Sequence, residues 1–274
     1  MSATAVRVSP DWLLLREPAD AAARSVELAE RHARHLATAG RLVIHDLGGG
    51  SGAMGRWLAP RLPGPQHWVV HDRDADLLKL AVADAAGPAA DGAAVTVEAR
   101  RSEIARLAPG DLTGASLIVA SALLDMLTAD ELVGMLGACA GIGRRPMLLA
   151  LTVVGRVTLI PADPLDAHMA AAFNGHQQRR TTAGRKLGPS AVAAAVDELR
   201  GTGAEVLVRP SPWRLDAAHA DLAAEWFGGW VAAACEQEPA LAAEAAAYRD
   251  RRLAQAAAGE LAATVDHADL LMLP

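Results

Sequence analysis

Apolar and polar positions change their period along this chain, and those changes set out its elements. Between residues 17 and 38 the positions Ala22, Val26, Leu28, Ala29, Ala33 and Leu36 form a broad apolar stripe with Arg and Glu between them. That spacing predicts an amphipathic helix. Asp11-Trp12-Leu13-Leu14-Leu15 ahead of it reads as a separate short helix. Apolar runs of strand type then alternate with helical spacing. They predict strands at about 42–46, 67–71, 94–98, 116–121 and 146–153, with helices near 52–62, 74–86, 103–108 and 129–141. Thr128-Ala129-Asp130-Glu131 is a capping-box pattern, so the last of these helices should begin with Thr128 as N-cap. Strand and helix in alternation imply a parallel sheet covered on both faces.

Past residue 153 the pattern changes. Gly155 to Arg185 holds a strand-like piece, prolines and a polar cluster of Asn174, His176, Gln177, Gln178, Arg179 and Arg180. Residues 188–200 are again helical, Glu205-Val206-Leu207-Val208 reads as a strand, and alanine-rich helix fills much of 216–258. Leu270-Leu271-Met272-Leu273 reads as a closing strand. No repeat of solenoid length interrupts this order.

Composition narrows the setting. A chain of 274 residues can bury one substantial core, and its apolar fraction of 52% without an 18-residue uncharged stretch reads as globular and soluble. Met1 to Trp12 lacks the basic start and apolar core of a signal peptide. Cys139 and Cys235 stand far apart in apolar surroundings, as buried thiols of a reducing cytoplasm do, rather than as a disulfide or a metal pair. A net charge of −6 without a basic block argues against nucleic acid as the partner, and no His/Cys/Asp/Glu spacing resembles a metal site. A small-molecule substrate, no membrane, and a monomer or homodimer are therefore expected.

The candidate chemistry starts where Leu42-Val43-Ile44 runs into Asp46-Leu47-Gly48-Gly49-Gly50-Ser51-Gly52 and helical spacing resumes at Met54. Glycines at such a junction allow a sharp turn and let a ligand approach bare backbone. The helix that follows points unsatisfied N–H groups at that ligand. A carboxylate at Asp46 suits a ligand carrying an ammonium group as well as a nucleoside. In this the chain resembles the class I S-adenosylmethionine (SAM) dependent methyltransferases, whose first motif is an acid, any residue, then Gly-x-Gly-x-Gly. Asp46, Gly48, Gly50 and Gly52 match it position for position. The resemblance implies a doubly wound, seven-stranded Rossmann-like α/β sheet, mostly parallel with the last strand antiparallel. N-terminal helices would precede it, and a helical insertion would come before the last strand. It divides the chain into an N-terminal helical segment, 1–40, packing on a SAM-binding domain, 41–274, with insertions at about 155–187 and 216–258.

Further positions follow from the same comparison. The second strand ends at His71-Asp72-Arg73, where an acid can bridge ribose hydroxyls; Asp72 equally suits a helix cap near Asp74. Arg73 could pack over the ribose or adenine, or stand in solvent. After the third strand, Glu103 and Ile104 occupy the place where such families put an acid for the adenine amino group and an apolar neighbour; Glu103 also suits a helix start. At the end of the fourth strand Ala120 and Ser121 would contact SAM. Asp125, the lone charge in an apolar run, would act as a base or orient the substrate, unless it only bonds its own loop. Arg24 is a candidate partner for the methionine carboxylate, and His176 a candidate for catalysis from a lid.

The resulting expectation is methyl transfer from SAM to an oxygen or nitrogen of a small metabolite. The Asn-Pro-Pro-aromatic motif of many nucleic-acid amino methyltransferases is absent. Two alternatives stay open. Gly50-Ser51-Gly52-Ala53-Met54-Gly55 also satisfies the dinucleotide pattern, which would make the protein an NAD(P)-dependent oxidoreductase. Alternatively, a non-catalytic binding protein could use the same scaffold.

Overall fold

The computed structural model describes residues 8–36 and 40–274, and the Leu36 side chain lies outside the described residues. So do positions 37 and 38 of the expected first helix and the Met1–Arg7 portion of the expected leaderless start.

Alternation of strand and helix builds the first half. In chain order come α1 (Pro10–Ala23), α2 (Val26–Leu36), β1 (Leu42–Leu47), α3 (Ala53–Leu58), β2 (Gln66–Asp72), α4 (Ala75–Ala83), β3 (Val95–Arg101), β4 (Leu117–Ser121) and α5 (Ala129–Ala140). The second half adds β5 (Met147–Ile160), α6 (Asp166–Gln177), a small hairpin of β6 (Arg180–Thr181) and β7 (Gly184–Arg185), and α7 (Ala191–Gly201). It closes with β8 (Glu205–Pro210), β9 (Trp213–Leu215), α8 (Ala220–Gln237), α9 (Ala242–Ala257) and β10 (Ala262–Leu273). The main sheet runs β3-β2-β1-β4-β5-β10-β8, with β9 pairing beside β8 along β10. β1 to β5 are parallel and β10 is antiparallel to both neighbours. That is the expected order of seven strands; the eighth, β9, has no signal in its three residues.

The central strands β1 and β4 are buried on both faces, apolar except for His45, Asp46 and Ser121 towards their carboxyl ends. Leu42, Ile44, Trp68, Leu117 and Val119 pack with α2 and α3 on one side. Leu47, Ile118 and Ala120 pack with α5 and α7 on the other. Thr128 caps α5 as expected: its Oγ1 accepts from the Glu131 N–H at 3.2 Å, and Glu131 Oε2 accepts from the Thr128 N–H at 2.8 Å.

Three expectations need correction. The short helix at Asp11–Leu15 and the start of the 17–38 helix are one element, α1, because Trp12 and Leu15 pack continuously into an aromatic cluster with Trp213, Phe227 and Trp230. The helix instead breaks at Arg24, whose φ of −56° and ψ of 140° leave the helical region. The expected helix at 103–108 is two 3₁₀ turns, Ile104–Arg106 and Pro109–Leu112, separated where Pro109 cannot continue the first. Finally, β5 runs seven residues past its expected end. It pairs with β10 as far as Ile160 opposite Ala262. On this long ribbon α6, α8 and α9 pack around Met169, Phe227, Trp230 and Tyr248, so His176 sits on a helix rather than in a loop.

Candidate functional site

The glycine run lies at the carboxyl edge of the parallel strands, where open α/β sheets bind ligands. Gly48, Gly50 and Gly52 hold φ of 66°, 53° and 84°, values that L side chains rarely adopt. Gly49 is required for a different reason. A Cβ there would stand 2.6 Å from Asp46 Oδ2 and 2.8 Å from Val70 Cγ1. The backbone therefore lies directly against the Asp46 carboxylate.

Asp46 is 0% exposed, and neither of its oxygens has a hydrogen-bond partner among the described residues. Burial pushes its carboxyl up to about 7; nearby Arg24 opposes this and nearby Asp72 adds to it. Arg24 is only 3% exposed. One nitrogen, Nη2, donates to Ser121 Oγ at 3.1 Å, while Nε and Nη1 have no partner among the described residues. Its guanidinium also sits 5.6 Å from the Trp57 ring centre. Burial lowers its pKa, and the neighbouring carboxylates Asp20, Asp269 and Asp46 act against that. An unsatisfied buried charge costs several kcal/mol unless a ligand pairs with it. Here two of opposite sign face one loop.

The surroundings are firmly held. Arg56 makes a bidentate pair with Glu17 of α1 at 2.7 and 2.6 Å and donates to Ser51 O, which straps α1 to the glycine loop. Ser25 ends the α1–α2 break: its N–H donates to Asp269 Oδ2 at 2.7 Å, and its Oγ accepts from Leu28 N. Leu13, Arg16, Arg24, Gly48, Ser121 and Ala122 are among the residues bounding a cavity of about 70 Å³ here. A larger groove of about 280 Å³ lies on another face of α1, between Ala19, Pro212, Arg214 and His219. No residue bounding it holds a buried polar atom without a partner, so the smaller cavity is the better candidate.

The other expected residues are placed as follows. Asp72 ends β2 beside the loop, its Oδ2 accepting from Gly50 N at 3.0 Å and its Oδ1 from Asp74 N at 2.9 Å. The cap of α4 is Asp74, not Asp72. Ser121 bounds the cavity, whereas Ala120 faces the core with Leu47 and Ile118. Arg73 is exposed. Glu103 is exposed and pairs with Arg106 at 3.2 Å, and Ile104 is half-buried against the α5 side of the core. Neither bounds the cavity. Asp125 lies in a 3₁₀ turn after β4 with Oδ1 buried and unpartnered. Burial raises its pKa, opposed by Arg16 and Lys186. His176 pairs with Glu236 of α8 at 3.2 Å and with Arg179, remote from Asp46 in its contacts.

Asp269 has no counterpart among the residues expected from sequence. The signal was available: a lone acid inside Ala268–Leu273, an otherwise apolar strand.

By fold the chain is similar to solved class I methyltransferase structures. A cyclopropane synthase of Mycobacterium tuberculosis superposes at a TM-score of 0.52 over 97% of this chain and 95% of that one, with 12% identity. A SAM-dependent methyltransferase of Thiobacillus denitrificans in complex with S-adenosyl-L-homocysteine is similar at a TM-score of 0.46, with 14% identity over 98% of this chain and 100% of that one. One of Geobacter sulfurreducens, also in complex with S-adenosyl-L-homocysteine, gives 0.43 and 16% over 97% and 99%. Neither a family model nor a curated protein matches the chain. The chain has the Rossmann-like fold of class I methyltransferases.

Proposed function

We propose that this protein is a SAM-dependent methyltransferase that methylates an oxygen or nitrogen of a small molecule. The observation that carries this reading is the pair of buried, unsatisfied opposite charges, Asp46 and Arg24, flanking the glycine loop. A zwitterionic amino-acid group satisfies both at once, its ammonium on Asp46 and its carboxylate held by the Arg24 fork. Asp72, at the end of the neighbouring strand, is suited to a ribose. The orphaned atoms and the bare backbone of Gly48–Gly50 fit the methionine and nucleoside ends of SAM.

SAM supplies a methyl group activated by a sulfonium. The task left to the chain is to hold an acceptor in line, exclude water and take a proton. Asp125, in the turn that follows β4, is our candidate for the last of these: it does not bound the cavity, and burial raises its affinity for a proton. The Asp46 carboxylate argues against a dinucleotide, since the pyrophosphate of NAD(P) would approach a buried acid of the same sign. Free Cys139, whose thiol burial pushes up to about 12, is consistent with a reducing cytoplasm.

Titration calorimetry tests the reading. SAM and S-adenosylhomocysteine should bind at micromolar levels. Binding of NAD(H) with neither of them would overturn it; binding of both sulfur ligands without turnover against a metabolite panel would favour a binding protein on the same scaffold.

A further inference from the structure

Asp269 joins three irregularities of the fold. It is 1% exposed, and the pairing of β10 with β5 shifts there, so that Ala150 and Leu151 stand opposite Asp269 alone. This is a β-bulge, a device that re-aims side chains. Leu151 holds a φ of 54°, in the left-handed region that a leucine rarely adopts. Its N–H donates to Asp269 Oδ1 at 2.8 Å. The second oxygen accepts from Ser25 N at 2.7 Å, at the break between α1 and α2.

Both ends of this bridge lead to Arg24. Ser25 is its chain neighbour, so fixing the Ser25 N–H fixes where the Arg24 side chain leaves the break. On the other arm, the bulged Ala150 accepts from the N–H of Ala122 at 2.9 Å. Ala122 itself holds a φ of 52° and follows Ser121, the residue that binds Arg24 Nη2. The backbone of Arg24 and its side-chain partner are thus both anchored on one carboxylate from the last strand.

We propose that Asp269 is a positioning residue for the amino-acid end of the cofactor, aiming Arg24 at the glycine loop opposite Asp46. The proposal rests on the reading of Arg24 and Asp46 given above. A purely structural carboxylate would lower the affinity of every ligand together. A positioning residue lowers only that of ligands carrying the amino-acid end.

The test compares S-adenosylhomocysteine with 5′-methylthioadenosine, which keeps the nucleoside and sulfur but lacks that end. Calorimetry on the full chain should show the wild type preferring S-adenosylhomocysteine. Asp269→Asn should weaken S-adenosylhomocysteine about tenfold, the loss of one charge-assisted hydrogen bond, while methylthioadenosine stays within about twofold. Asp269→Ser removes the carboxylate with a smaller side chain that adds no bulk against Ser25 or Leu151. It should give the same split, and it carries the test alone if Asp269→Asn does not fold. Retention of the wild-type preference in both variants, or a parallel loss of both ligands, would overturn the proposal. If Arg24→Met keeps the preference, the reading of Arg24 itself fails, whatever Asp269 does.

Discussion

Arg252 and Arg24 are both buried arginines, and they differ in what surrounds them. Arg252, on α9, is 1% exposed and places Nη2 on both oxygens of Asp166 at 2.6 and 2.7 Å. Its Nη1 donates to Pro161 O and Gln255 Oε1, and Tyr248 donates to the same Asp166 at 2.6 Å. Among the described residues Arg24 makes one side-chain hydrogen bond, and the Asp46 carboxylate beside the same loop makes none. The first cluster pairs its carboxylate and both terminal guanidinium nitrogens, leaving only Arg252 Nε without a partner among the described residues, and fixes α9 to the start of α6. The second withholds them at a strand edge beside bare glycine backbone. A buried charge that is already paired serves the fold; one left unpaired is suited to a ligand.

Breaking each cluster should give opposite signatures. Arg252→Met removes one partner of a buried pair and should destabilise the chain by about 3–5 kcal/mol, with S-adenosylhomocysteine affinity in the folded fraction unchanged. Denaturant unfolding and calorimetry check the two halves. Asp46→Asn removes an unpaired buried charge, so stability should hold or rise. Ligand affinity should fall about 100-fold, the cost of losing one side of a desolvated charge pair. If Asp46→Asn destabilises the chain while its folded fraction binds normally, the contrast is wrong.

Acid separates the clusters more gently. Burial lowers His32, His45, His71 and His267 to about 4, against an ordinary value near 6.5. Between these values the unfolded chain binds more protons than the folded one. The stability that neutral imidazoles preserve above pH 6.5 is therefore lost progressively as pH falls towards 4. Each contributes up to about 3 kcal/mol, less where His45 and His71 share a hydrogen bond. Buried Asp46, held up to about 7, opposes this over the same range, so the comparison is made in the Asp46→Asn chain, whose urea midpoints should fall from pH 7 down to 4.5; a rise would contradict the burial of these rings. The smallest effect expected is at Gly49→Ala, whose Cβ would press on Asp46 and Val70. Overpacking of this kind costs about 1–3 kcal/mol, with a matching loss of ligand affinity because Asp46 must shift.

The site was legible where it is local. Asp46, Gly48, Gly50 and Gly52 lie in seven consecutive residues, and the turn from strand to helix shows in the period of apolar positions. The alternation of strand and helix gave a parallel sheet covered on both faces, while the order of its strands came from the resemblance carried by the glycine motif. What sequence could not show depends on distant pairing. Asp269 meets Ser25 across 244 positions, and no periodicity joins them. The end of α1 was misplaced because the break at Arg24 carries only a weak local signal, the Ser25 hydroxyl that accepts from Leu28 N, and is joined from outside by Asp269. The length of β5 was missed for a similar reason, since Gly155 and Arg156 interrupt the apolar run and the residues beyond them are held in the strand by pairing with β10.

The most direct test of the central claim needs no variant. The free Asp46 carboxyl, held near 7 by burial, is mostly protonated at pH 6, and an incoming ammonium requires it charged. Calorimetry of S-adenosylhomocysteine binding at pH 6, in two buffers of different ionisation enthalpy, should report release of close to one proton. The affinity should rise about tenfold from pH 6 to 7.5. Binding without proton release, at an affinity flat across that range, would contradict the pairing of Asp46 with the ligand.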